Sequence, residues 1–216
     1  MHRTLTDDRT TRFDALPAAP PHPPERPTSV DVDEVQTIVR ALLVALGQNP
    51  DREGLRETPA RVARFWSEFL DHDPGDTGTT FEHTMAGDQY VLVGGIRTWS
   101  MCEHHLLPFS AEVSIGYLPA GRVLGLSKLA RVVLQFAHRL QLQEQLTSQV
   151  AQEVARLTGS PDVGVWTVGE HLCMSVRGVR EHSARTVADC LLGRLGTDAR
   201  LAERLRAGAD LARGAR

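Results

Sequence analysis

The sequence predicts an α+β fold on three observations. Apolar residues recur every three or four positions over residues 31–46 and 58–70. β-Forming residues dominate short segments between 89 and 126 and again between 163 and 177. A helical stretch at 127–157 separates those two groups of strands. A central sheet backed by helices satisfies all three, and the lack of any fixed-period repeat excludes solenoids and propellers.

Residues 15–28 are so rich in proline, which fixes φ and withdraws backbone donors, that 1–30 is expected to form a disordered or extended tail. From Asp31 onward, Val35, Ile38, Val39, Leu42, Leu43 and Leu46 make one helical stripe, which Gly47 stops. A second helix is expected to start with Thr58 as N-cap and Pro59 in the first helical position. It carries Val62, Phe65, Trp66, Phe69 and Leu70 on one side and Arg61 and Arg64 on the other. A Gly- and Asp-rich loop at 73–79 leads to strands expected at 89–100, 111–118, 122–126, 163–168 and 171–177. Within 127–157 the apolar spacing slips at Leu140 to Leu142, which predicts two consecutive helices with a break there. An Ala- and Arg-rich helix from Asp198 to Arg213 reads as peripheral. The expected organisation is a tail at 1–30, a helical region at 31–75, a sheet domain carrying the chemistry at 76–196 and a final helix at 197–216.

The 216 residues are 41% hydrophobic and 24% charged with net charge −3, which excludes the basic excess of a duplex nucleic-acid binder and the composition of a disordered chain. No apolar run is long enough to span a membrane, and the first eight residues lack the core of a signal peptide, so the expected compartment is the cytoplasm. Three cysteines are too few and odd in number for a disulfide framework, which leaves metal binding or burial. Of the 24 cationic residues, Lys128 is the sole lysine.

The densest chemistry is Met101-Cys102-Glu103-His104-His105, on a turn after a predicted strand. Cys102 and His105 have a Cys-x2-His spacing, which lets a thiolate and an imidazole converge on one tetrahedral ion. Some 70 residues on, the expected strand alternation puts His171, Cys173, Ser175 and Arg177 on one face. Two readings follow. One is a closed structural zinc site on Cys102, His105, Cys173 and either Cys190 or a second histidine. The other is three protein ligands, with water in the fourth position and His104 and His171 as acid/base groups. At Leu124-Gly125-Leu126-Ser127-Lys128, a strand gives way to a helix for which Ser127 is the expected N-cap; Lys128 and Arg131 add charge to the helix N-terminus and suit an anion, unless they simply lie on a solvated face. Arg177 is a third candidate cation. Glu144, at the start of the following helix, is either an ordinary exposed carboxylate or a bidentate acceptor for two parallel N–H groups.

Together these segments resemble the GTP cyclohydrolase I family over about residues 31–196. The resemblance rests on DREGLRETPARVA at 51–63, MCEHHLLPF at 101–109, GLSKLAR at 125–131, QLQE at 141–144 and EHLCMSVRGV at 170–179. It implies a T-fold, an antiparallel sheet backed by helices with N-terminal helices added. It further implies assembly into a toroidal homodecamer with active sites at subunit interfaces. The implied metal is zinc on Cys102, His105 and Cys173, and the implied reaction converts GTP to 7,8-dihydroneopterin triphosphate with loss of formate, the first step of tetrahydrofolate and pterin biosynthesis. Water activated by zinc would attack C8, His104 would protonate the ring nitrogen, and His171 and Ser127 would serve the opening ribose. Gln143 and Glu144 would read the guanine edge, Lys128, Arg131 and Arg177 would neutralise the triphosphate, and Arg61 and Arg64 would complete its pocket from a neighbouring subunit. Neither nucleic acid nor membrane is implied as a partner. The chain departs from the family pattern at Leu140 for proline, Ala111 for glycine, Ser114 for histidine, and at Ala188 and Asp189 where Thr-Ser is common. Those departures keep open a divergent enzyme of a specialised pterin or deazapurine pathway, another T-fold catalyst, and an inactive scaffold stapled by zinc.

Overall fold

The computed structural model describes residues 29–83 and 89–214. Most of the expected N-terminal tail, residues 1–28, lies outside the described residues. Two helices come first, α1 (Val32–Ala45) and α2 (Thr58–Leu70), packed on each other. The Asp31 side chain caps α1 by accepting the Glu34 N–H at 2.9 Å, and Gly47, at φ 73°, adopts the left-handed conformation that follows a helix end. At α2 the cap lies one residue earlier than expected. Glu57 holds that position without a side-chain bond, so Thr58 is the first helical residue and Pro59 the second.

The chain continues through β1 (Thr80–Glu82), β2 (Val91–Cys102), β3 (Pro108–Tyr117), β4 (Arg122–Leu124), α3 (Leu126–Ala137), β5 (Leu140–Gln141) and α4 (Gln143–Thr158). It then forms β6 (Val163–His171), the short α5 (Leu172–Ser175), β7 (Thr186–Leu191), a turn of 3-10 helix at Gly193–Gly196, and α6 (Ala199–Gly214). Five strands form one sheet in the order β5-β2-β3-β6-β7, antiparallel except for the β5–β2 pair, while β1 and β4 pair separately. This mixed α+β architecture agrees with a T-fold.

α3 and α4 cover one face of the sheet, over a core that includes Val113, Ile115, Tyr117, Val132, Val150 and Val165. α6 covers part of the other face. The expectation of a peripheral C-terminal helix is therefore corrected: Leu205 and Ala209 are buried with Leu118, Trp166 and Leu195 in a second apolar cluster. The two faces follow from strand parity, with Val163 and Val165 on the α4 side and Trp166 on the α6 side. In β2 that parity switches. Val91 and Val93 pack on the α3–α4 core; a bulge follows between Val93 and Ile96, with Gly95 at φ 72°. Beyond it Ile96 and Cys102 pack on the same core, and Ser100 donates to the α3 carbonyl of Ala137 at 2.6 Å.

Two further expectations change. Gly125, not Ser127, occupies the α3 cap, and Ser127 is an exposed second residue of the helix. The strand expected at 171–177 is absent. His171 is the last residue of β6, paired with Phe109 next to the start of β3, and beyond it there is no partner strand among the described residues. The backbone coils into α5, with the Val176 N–H on the Leu172 carbonyl at 2.9 Å. The break between the central helices falls where the spacing slips, at Leu140–Gln141, which pair with Met101 and Cys102. Among the described residues no helix is long and apolar enough to cross a membrane.

Candidate active site

β2 delivers Cys102 to a tight turn. The Cys102 carbonyl accepts the Leu106 N–H at 2.9 Å and the His105 N–H at 3.4 Å, and Leu106 is left-handed at φ 51°. The turn brings the His105 Nδ1 to 3.7 Å from the Cys102 Sγ. α5 supplies Cys173, and the ligand atoms of Cys102, His105 and Cys173 all lie within 4.8 Å of one another. Cys190, on β7, is not part of this group, and no fourth His, Cys, Asp or Glu joins it among the described residues. Burial, followed by the neighbouring Cys102, pushes the Cys173 thiol above its ordinary value. Loss of solvation, then Arg177 and His104, holds His105 below its own. A divalent cation relieves both effects, because it stabilises thiolates and binds neutral imidazole. Two thiols and one imidazole in this arrangement fit zinc.

His104 is exposed, its ring edge-on to His105 with centroids 6.1 Å apart. The Arg177 guanidinium touches the His105 Nε2. Arg177 therefore reaches the metal group from the segment after α5, where strand alternation is not what aims it. His171 lies flat on Phe109, centroids 4.6 Å apart and planes within 7°, with its Nε2 2.8 Å from the Gln143 Oε1. Burial lowers the His171 pKa, opposed by the charge of Glu144. Glu144 itself is exposed on the first turn of α4. Gln143, expected at the guanine edge beside it, has its side chain in the interior. It is 1% exposed, and its amide nitrogen donates to the Thr167 carbonyl, the Thr167 hydroxyl and the Thr186 carbonyl at 3.0 to 3.2 Å.

The α3 cations already have an anion. Lys128 Nζ donates to the Asp76 carboxylate at 2.7 Å and to its carbonyl at 2.8 Å, and Arg131 reaches the same carbonyl at 3.3 Å. The bond to Lys128, then the Gly78 N–H and the Thr79 hydroxyl, hold the Asp76 carboxyl well below the usual carboxylate range. The sequence reading missed Asp76, which lies 52 residues from Lys128. The signal present was Asp76-Thr77-Gly78, a turn-forming acid in a loop that returns to the start of α3 through the Gly125 N–H to Thr79 carbonyl bond. Arg61 and Arg64 stand exposed on α2, which packs chiefly on α1, and among the described residues neither forms a hydrogen bond or ion pair with the metal group.

A family model described as GTP cyclohydrolase I matches residues 35–209. Curated relatives named GTP cyclohydrolase 1 include that of Hyperthermus butylicus, 47% identical over 81% of this chain and 89% of its own. That of Streptomyces griseus is 45% identical over 80% and 88%, and that of Ruminiclostridium cellulolyticum 40% identical over 82% and 97%.

Proposed function

Because the chain belongs to the GTP cyclohydrolase I family, we propose that it hydrolyses the imidazole ring of GTP, releases formate and closes the product to 7,8-dihydroneopterin triphosphate, the first step of tetrahydrofolate and pterin synthesis in the cytoplasm. The observation that carries this reading is the convergence of Cys102, His105 and Cys173 within 4.8 Å, with His171 two residues from Cys173. Cys102, His105 and Cys173 would hold the metal as three protein donors, the number used by catalytic rather than structural zinc sites. When bound there, zinc would supply Lewis acidity and make hydroxide available near neutral pH.

The remaining work falls to side chains of the protein. His104 protonates the guanine ring nitrogen, and His171 moves protons at the opening ribose, whose hydroxyls Ser127 contacts. Glu144 accepts the paired N–H groups of guanine without Gln143, whose amide is satisfied internally. Lys128, Arg131 and Arg177 bind the triphosphate, which displaces Asp76 from the first two. Arg61 and Arg64 complete that pocket from a neighbouring subunit of a ring-shaped homo-oligomer, a decamer by family likeness. Two sheet edges open among the described residues favour such assembly: there β7 ends the sheet on one side, and β5 covers β2 on the other only at Met101 and Cys102.

Zinc-loaded protein incubated with GTP is expected to release formate and form a pterin that fluoresces after oxidation, in equal amounts. Absence of both from a zinc-replete sample overturns the assignment.

A further inference from the structure

The Gln143 side chain does more than fill the interior. Two of the three acceptors around its nitrogen are backbone carbonyls, of Thr167 and Thr186, at 3.2 and 3.0 Å. A carbonyl only accepts, so a flipped amide would set oxygen against oxygen at both places, and the orientation is fixed. The third acceptor, the Thr167 hydroxyl, is held in turn 2.8 Å from the Thr147 hydroxyl, which donates to the Gln143 carbonyl at 2.7 Å. The amide oxygen is thereby committed to His171 Nε2 at 2.8 Å. Since that oxygen also only accepts, Nε2 carries the hydrogen.

Gly169 makes the approach possible. A Cβ there would lie 2.3 Å from the Gln143 Oε1 and 3.1 Å from the Ser110 carbonyl, so the amide oxygen occupies the space of a missing side chain. Phe109, paired with His171 across the β3–β6 ladder and stacked on its ring, fixes the plane in which that hydrogen points.

We infer that Gln143 is the positioning residue of His171, locking the neutral ring as the Nε2–H tautomer and leaving Nδ1 as its one proton-accepting nitrogen, with Gly169 as the space that permits the lock. The inference rests on the reading of His171 as a proton carrier. It adds which nitrogen carries the proton and which residues decide that.

The test uses zinc-loaded full-length protein labelled with 15N-histidine, the His171 signals being assigned by their loss in His171→Asn. Wild-type His171 is expected to show the Nε2–H pattern in long-range 1H–15N spectra, and Gln143→Met a mixture of tautomers. In Gln143→Met and Gly169→Ala, kcat is expected to fall about 10- to 100-fold, the scale of a misplaced catalytic group, with the KM for GTP within about twofold and zinc content unchanged. Should either variant fail to fold, the wild-type spectrum alone decides, because an Nδ1–H tautomer overturns the inference. So does an unchanged tautomer in a folded Gln143→Met variant. A wild-type protein with the Nε2–H tautomer and no GTP turnover would overturn the proposed function and leave the lock standing.

Discussion

His138 shows how a single buried ring ties stability to pH. It closes the α3 end against α2, stacked 4.0 Å from His72 and 4.8 Å from Phe69, with Nδ1 3.1 Å from the Phe69 carbonyl. Burial, then the neighbouring His72, lower its pKa from 6.5, and the Phe69 carbonyl opposes them. The neutral form is thus favoured in the fold, so between the folded pKa and 6.5 the unfolded chain binds more protons. The stability this contributes is complete above pH 6.5 and is lost as pH falls through the folded value. Urea midpoints at pH 7.5 and 5.5 should therefore be closer together in His138→Phe than in the wild type, although His105 and His171, also lowered, keep their own share in both. An equal gap in the two proteins would return His138 to simple packing.

At the scale of elements, α6 is held by close approach to the sheet. A Cβ at Gly116 would lie 2.9 Å from Leu205, and one at Gly94 would lie 2.7 Å from Ala212, so both glycines bring the helix down onto β2 and β3. Leu205 has no exposed surface. Leu205→Ala is expected to cost about 2 to 5 kcal/mol by creating a cavity there, read by equilibrium unfolding; a cost under about 0.5 kcal/mol would make α6 the surface appendage its composition suggests. The helix was hard to recognise as core because alanines and arginines outnumber its few apolar anchors. α1, α2 and the break between α3 and α4 were legible, since their signals are local spacings. β7 was not: Ala188 and Asp189, in the middle of the segment, have weak strand preference, and the segment is a strand because β6 offers it a ladder. α5 was misread for the converse reason, an alternating pattern with no strand to pair with. Of the site, Cys102 and His105 announce themselves by spacing, whereas Asp76 has no local signature of its role, and Gln143 looks like any polar residue beginning a helix.

For the whole molecule, the proposed sharing of sites makes a demand that one chain alone does not meet. An Arg61→Ala/Arg64→Ala chain and a His104→Ala chain, each inactive by itself, should regain GTP turnover when co-assembled, because some interfaces then hold every group. Demonstrated mixed oligomers no more active than either parent would confine the site to one subunit. Chain length is under a similar global constraint, and it is set by the bulge in β2. Cys102 faces the α3–α4 core only because one extra residue near Gly95 reverses odd and even positions along the strand. Loss of a single glycine there would turn Cys102 toward the opposite side of the sheet with every ligand still encoded. The grouping of Cys102 with His105 and Cys173 therefore depends on a count modulo two, and a reading frame of side chains, shifted by one, would erase it as surely as replacing the cysteine.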